Sequence, residues 1–217
     1  GSHQDAIAKG MAYREAQERD YWTVPYLPID PEDVGRTYDS DVIRINSQSG
    51  KGGVNYILKQ SHGISLPDKM REEMSYTAKR VSDQAHQELT PEWIYQIFCD
   101  NYINVDKKFH ITECHFVQED GIQAKATVES EGRTAVINGQ GNGRLDAVSN
   151  AIRSYLDVDY ELVDYEQHSL TKGSSSKAVS YVSITKDGQT FWGVGIDEDI
   201  IKSSYQALEV AVNKILD

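Results

Sequence analysis

Apolar residues recur every three or four positions in some stretches of the chain and alternate in others, and this contrast divides it into elements. Residues 4 to 20 (QDAIAKGMAYREAQERD) suit a helix but gather no clean apolar face, which predicts the tail of a helix belonging to something larger. Tyr21 to Gly35 holds three of the five prolines. Each removes a backbone donor and restricts the residue before it, so an extended connector is expected there. Asp41 to Asn46 (DVIRIN) and Val54 to Lys59 (VNYILK) alternate and predict two strands, joined through the glycine-rich Ser47 to Gly53. Leu66, Met70, Met74, Ala78, Val81 and Ala85 follow at helical spacing and predict a long helix, with Ser65 and Asp68 as its capping box. Thr90-Pro91-Glu92 opens another helix with a cap, a proline at the first helical position and an acid in the first turn; it carries Trp93, Ile94, Ile97 and Phe98.

Beyond Lys107 the pattern changes. Phe109 to Val117, Ile122 to Val128 and Thr134 to Ile137 predict three strands, with turns at Glu119-Asp120-Gly121 and Glu131-Gly132, and a helix then begins near Gly143 and carries Leu145, Val148, Ile152 and Tyr155. The pattern recurs as strands over Tyr160 to Tyr165, Ala178 to Thr185 and Thr190 to Val194, followed by a helix with Ile201, Leu208, Val212 and Ile215. A shift of 56 positions lays Gly132, Thr134, Gly139 and Ala151 on Gly188, Thr190, Gly195 and Ala207, and Ile152 on Leu208. Identities at a turn, a strand-to-helix junction and a helix interior are those a duplication retains for backbone reasons. The expected fold class is α+β: residues 1–35 a residual helix and connector, 36–106 a small α/β linker subdomain, and 107–217 a domain of two duplicated βββα units.

Charge narrows the partners. Twenty-two Lys and Arg face 34 Asp and Glu over 217 residues, a formal charge of −12, so a duplex or an anionic membrane is repelled on average. No apolar run approaches the roughly 20 residues of a membrane span. The length also falls short of the roughly 250 residues of a (β/α)₈ barrel. Cys99 and Cys114 belong to no ligand cluster, which fits a reducing, cytoplasmic setting without a disulfide framework. No secretory signal is visible at the N-terminus. The chain does not begin with Met, and Gly1-Ser2-His3 reads as a vector remnant on a trimmed piece or as native sequence.

Candidate chemistry centres on Gly139-Gln140-Gly141-Asn142-Gly143-Arg144-Leu145-Asp146-Ala147, which puts three glycines between a strand and a helix N-terminus. The first N–H groups of a helix lack intrahelical acceptors and the dipole is positive there, so backbone alone can hold a carboxylate or phosphate. The same letters also spell a plain tight connection. Gly193-Val194-Gly195 before the second helix suggests a paired site. Ser47 to Val54 (SQSGKGGV) lacks the upstream glycine and following Ser or Thr of a phosphate loop. His3, His62, His86, His110, His115 and His168 form no HxH or HExxH arrangement, so no metal site is expected, and no nucleophile elbow anchors a triad. The residues describe a small-ligand binding module without its own catalytic centre.

Several stretches resemble the actinobacterial-type 2-isopropylmalate synthase family. They are Val42 to Val54 (VIRINSQSGKGGV) with His62-Gly63 and Leu66-Pro67, Pro25 to Pro31 (PYLPIDP) with Asp33 to Arg36, Gly139-x-Gly141-Asn142-Gly143, Asp164-Tyr165 with His168, and Trp192 to Ile196. The resemblance implies a C-terminal piece of an enzyme that condenses acetyl-CoA with 2-oxoisovalerate in leucine biosynthesis. It also implies a regulatory domain of two βββα units, homodimeric, that binds leucine as feedback inhibitor. The catalytic barrel and the divalent metal it carries would lie outside this sequence, which itself would hold no cofactor. Carried over by position, the leucine site would draw on Gly141, Asn142, Gly143, Leu145, Asp146, Leu162, Tyr165, Ser169, Ala178 and Ile200. His3 and Tyr26 match catalytic residues that act only in the parent enzyme. Arg144 stands where the family usually has Pro, beside the expected carboxylate locus. Two other readings stay open: the regulatory end of a related acyltransferase such as citramalate synthase, sensing isoleucine, and a purely structural dimerisation module.

Overall fold

The computed structural model describes residues 2–17, 21–35, 51–171 and 176–216. It forms two compact units, Gly1–Ile97 and Phe98–Asp217. The strand predicted over Asp41 to Asn46 lies outside the described residues.

In the first unit, helix α1 (Ser2–Ala16) precedes the proline-rich connector, as the sequence predicts. Arg14 anchors that connector: its guanidinium lies 5.0 Å from the Trp22 ring centre and 3.4 Å from the Asp30 carboxylate. Trp22 Nε1 donates to Leu27 O at 2.7 Å. Asp30 accepts from Glu32 N–H and caps a single 3-10 turn over Pro31–Val34. Helix α2 spans Lys51–His62, which corrects the strand expected over Val54 to Lys59. The buried apolar side chains are Val54, Ile57 and Leu58, spaced by three and four. Six residues are too few for alternation and helical periodicity to be told apart, and packing decided for the helix. Helix α3 (Asp68–Ala85) buries Met70, Met74, Ala78 and Ser82, so the stripe leaves the predicted Val81 at its margin. Its start is also corrected: Pro67 occupies the cap position without a side-chain bond, and Asp68 instead pairs with Arg71 at 2.7 Å. In helix α4 (Pro91–Tyr102) the predicted cap is present, with Trp93 N–H donating to Thr90 Oγ1 at 3.2 Å.

The second unit holds two three-stranded antiparallel sheets, β1 (Phe109–Glu119), β2 (Gly121–Ser130), β3 (Arg133–Gly141) and β4 (Glu161–Ser169), β5 (Ala178–Lys186), β6 (Gln189–Asp197), each in sequential order. Helix α5 (Arg144–Leu156) follows the first and α6 (Ile200–Asn213) the second. The α+β class and the duplicated βββα pattern are those read from sequence. The copies agree in detail. Glu131-Gly132 and Asp187-Gly188 make the same hairpin turn with both residues at positive φ, and the first strand of each sheet carries a bulge, between Ile111 and Glu113 and between Leu162 and Asp164.

One continuous core joins the copies. It combines Ile111, Ala124, Ala126, Val128, Val148 and Ile152 with Val182, Ile184, Leu208 and Val212. Tyr160 is buried within it, its hydroxyl bonded to Ser149, and burial pushes its ionisation up to about 12. Cys114 is packed against the same core, and burial raises its thiol from an ordinary 9.0 to about 11. Native Cys114 should therefore react with iodoacetamide at pH 8 on the order of 100-fold more slowly than in the urea-unfolded chain, a ratio checked by mass spectrometry of the alkylated peptide. Since the folded state keeps this proton more tightly, the thiol's contribution is present below pH 9 and is lost as pH rises towards 11.

Candidate functional site

The three predicted loop glycines divide into two classes. Gly139 and Gly141 lie inside β3 and not in a loop, which corrects the sequence reading. A Cβ on Gly139 would collide with Ala147 O and come within 2.6 Å of Ala151 N; one on Gly141 would lie 2.5 Å from Ala147 N. These glycines let α5 lie directly on the strand. In the second copy, Gly195 faces Ser203 O and Ala207 N, which are Ala147 and Ala151 shifted by 56, and Gly193 faces Ala207 O and Ala211 N. Gly193-Val194-Gly195 is likewise strand, in β6, and its glycines seat α6. Gly143 differs: it caps α5 with extended backbone, and no atom lies within 4 Å of where its Cβ would be.

The two helix entrances are unlike, so the expected paired site is corrected too. At α6, Asp199 Oδ1 accepts from Ile201 N–H at 2.7 Å and Lys202 N–H at 3.2 Å, filling the anion position with the chain's own carboxylate. Behind it, Asp197 bonds Asp199 N–H, Lys202 and Gln206; although burial opposes its charge, these bonds together hold its carboxyl below the usual range. At α5, Gly143 offers no side-chain cap, and the N–H groups of Arg144, Leu145 and Asp146 have no protein acceptor among the described residues. Asp146 turns back, its Oδ2 accepting from Asn142 N–H at 2.9 Å. Arg144 lies with its guanidinium 5.8 Å from the Phe116 ring centre, which gives that cation a packing role on β1.

The second cluster of predicted residues stands on β4, β5 and the start of α6. Register puts Leu162, Tyr165 and Ser169 opposite Ile184, Val182 and Ala178, all on the face that carries α6. Leu162, Tyr165 and Ile200 are 36%, 44% and 55% exposed, whereas Ala178 is buried. Gln167, unnamed by the sequence reading, organises this patch. Its Nε2 donates to Ile200 O at 3.2 Å and its Oε1 accepts from Tyr165 O–H at 3.1 Å. Its place between Tyr165 and Ser169 at strand period two was the available signal. Beneath, Ser203 O–H donates to Ile200 O at 2.8 Å, and Ser180 in turn donates to Ser203 at 2.8 Å. The structure thus joins Tyr165 to Ile200, while Gly141, Asn142, Gly143, Leu145 and Asp146 gather at the other sheet; no described hydrogen bond crosses between the clusters.

Of the residues matched to parent-enzyme catalysis, His3 lies in α1 with its side chain outside the described residues. Tyr26 is 63% exposed and adopts φ 65° in the connector between Pro25 and Pro28. Among the described residues, no group of three His, Cys, Asp or Glu is arranged to hold a metal ion, and no helix is long and apolar enough to cross a membrane. The divalent metal that the resemblance implies does not fit the described side chains.

Fold and site together define a tandem βββα domain with one uncapped helix entrance and an exposed apolar patch at Leu162, Tyr165 and Ile200. The chain belongs to the LeuA allosteric (dimerisation) domain family, whose match covers residues 88–216, and residues 1–59 match the family described as alpha-isopropylmalate synthase, post-catalytic domain-like. Among similar proteins, a 2-isopropylmalate synthase of Helicobacter hepaticus is 49% identical over 225 residues and one of Desulfitobacterium hafniense 49% over 217; one of Brucella melitensis is 41% identical over 221. Each alignment covers 100% of this chain and 40%, 39% and 40% of the relative, so the chain spans about 40% of the length of these relatives.

Proposed function

We propose that this chain is the leucine-sensing, self-associating part of a 2-isopropylmalate synthase. The observation that carries the reading is the α5 entrance. Three N–H groups without protein acceptors converge there on a position where α6, the equivalent helix, holds a carboxylate of its own. A leucine carboxylate on these amides leaves its ammonium near Asp146. Its isobutyl group needs an apolar wall, for which Leu162 and Ile200 are the exposed candidates. These stand on β4 and at the start of α6, and a second copy of the chain is the partner that would complete the pocket and cover them. Burying the isobutyl group is worth roughly 1.5–3 kcal/mol, so selectivity over valine and isoleucine rests on shape. Catalysis and its divalent metal belong to a barrel on the full-length parent, where His3 and Tyr26 would contribute; the working compartment is the reducing cytoplasm.

Calorimetric titration with leucine, valine and isoleucine tests this. Heat with leucine above the others is expected; none with any of them at millimolar concentration overturns it, and a preference for isoleucine points to a citramalate-type parent. Release of CoA from acetyl-CoA and 2-oxoisovalerate by this chain alone would overturn the assignment of catalysis elsewhere.

A sharper test uses Gly143→Ser. A serine hydroxyl at the cap position accepts the N–H groups that the ligand needs. The variant should be more stable by roughly 0.2–0.5 kcal/mol yet bind leucine more weakly, seen in thermal melts and calorimetry together. A second reading is favoured by the helix-seating role of Gly139, Gly141, Gly193 and Gly195: a structural dimerisation module in which glycines only allow packing. It predicts a melting temperature unmoved by saturating leucine, whereas a ligand of the native state raises it by mass action.

A further inference from the structure

We infer that α6 is the lever through which occupancy of the site is felt at residues 107–111, the lead-in to β1, and that Glu209 is the positioning residue that grips that segment. This rests on the leucine reading above. The carrying observation is a run of five consecutive residues, each tied to α6 or its tail. Lys107 Nζ lies 2.7 Å from Glu209 Oε1, and Lys108 Nζ donates to Leu216 O at 2.8 Å. Phe109 N–H donates to Asn213 Oδ1 at 2.9 Å, while Phe109 O accepts from Asn213 Nδ2 at 2.7 Å. His110 Nδ1 lies 3.0 Å from Glu209 Oε1, and Ile111 N–H donates to Glu209 Oε2 at 2.7 Å.

Glu209 and Asn213 are one helical turn apart and both buried, and Asn213 Nδ2 also donates to Glu209 O at 2.9 Å. β1 is an edge strand, and the backbone groups of Phe109 and Ile111 that its own sheet leaves open are taken by these two side chains. A buried carboxylate is a costly way to hold two elements together when an apolar residue could pack there. What it adds is a directional bond that follows any movement of α6.

The opposite end of the same helix carries the apolar wall proposed for the ligand: Ile200 O accepts from Gln167 and from Ser203. Fourteen helical residues form a rod of about 20 Å that moves as one body. A ligand seated on Ile200 and Gln167 biases the first turn, and the bias arrives at Lys107 to Ile111 through Glu209 and Asn213.

The test is nuclear magnetic resonance of the full chain titrated with leucine, with calorimetry in parallel. Amide resonances of Ile201 and Lys202 are expected to move, and those of Phe109 and Ile111, whose N–H groups end on Asn213 and Glu209, to move with the same saturation. In Glu209→Gln the movement at Ile111 is expected to be lost while Ile201 and Lys202 still shift and leucine still binds. Should that variant fail to fold, Asn213→Ala reads the same loss at Phe109. Binding that leaves Phe109 and Ile111 unmoved in the native chain overturns the lever alone. So does movement that survives in both variants. Absence of any heat or shift overturns the leucine reading and the lever with it.

Discussion

Replacing Gly195 by alanine should destabilise the second unit by at least about 3 kcal/mol, lowering its melting temperature by roughly 10–20 °C. The added Cβ would collide with Ser203 O and lie within 2.8 Å of Ala207 N. Neither neighbour is the tip of a flexible side chain; both are backbone of α6, and neither can turn aside without breaking a helical hydrogen bond. The helix must therefore lift off β6 as a body, opening the contacts of its Leu208 and Val212 with Val182 and Ile184 in the shared core. Gly188→Ala is the control. That position has φ 76° and empty space around it, so it costs only the roughly 1–2 kcal/mol of placing an alanine in the left-handed region. Thermal melts followed by circular dichroism give both numbers, and equal losses would refute the packing role assigned to Gly195.

Glu209→Ala should cost roughly 1–3 kcal/mol, because it takes the buried acceptor from the Ile111 N–H, while the half-exposed Lys107 and His110 regain water. The carboxylate has no exposure to solvent, while its partners Lys107, His110 and Ile111 N–H come from residues 107–111 of the same unit. Without it, the Ile111 N–H at the edge of β1 loses its acceptor and the space beside α6 is left empty. Urea unfolding followed by the fluorescence of Trp192, the single tryptophan of Phe98–Asp217, reports this unit. A loss below about 1 kcal/mol would mean that the pair only compensates its own desolvation.

Legibility differed between the two units. In the second, strand alternation was backed by turn signals that only a few residues can satisfy, Glu131-Gly132 and Asp187-Gly188 above all, and the repeat placed each element twice. In the first, Val54 to Lys59 had a turn signal only before it, at Gly52-Gly53, and none directly after it. Val54, Ile57 and Leu58 fit a helix as well as Val54, Tyr56 and Leu58 fit a strand, and the burial that chose between them comes from α3 and its surroundings. The capping box at Ser65 failed for a similar reason: the spacing was present, but Pro67 fixed the chain direction first.

The site was half legible. A glycine-rich run before a helix marks a place where backbone comes close to something, and the letters do not say whether that is a ligand or another helix. Gly139 and Gly141 proved to face α5, and only Gly143 opens on free amides. Asp199, two residues after Asp197, was a readable cap signal that distinguishes the second helix entrance from the first. Gln167 was hidden among polar residues of β4 until its bonds to Tyr165 and Ile200 gave it a position.

Local chemistry, written in the order of residues, therefore determined the strands and turns of the second unit and the caps at Thr90 and Asp199, because each depends on neighbours within one turn or hairpin. Tertiary structure alone decided what the glycines are for, which helix entrance is open, and that Glu209 and Asn213 grip Phe109 and Ile111 across about a hundred residues of chain. Those outcomes depend on which surfaces meet, and no periodicity along a sequence records the distance between elements that packing brings together.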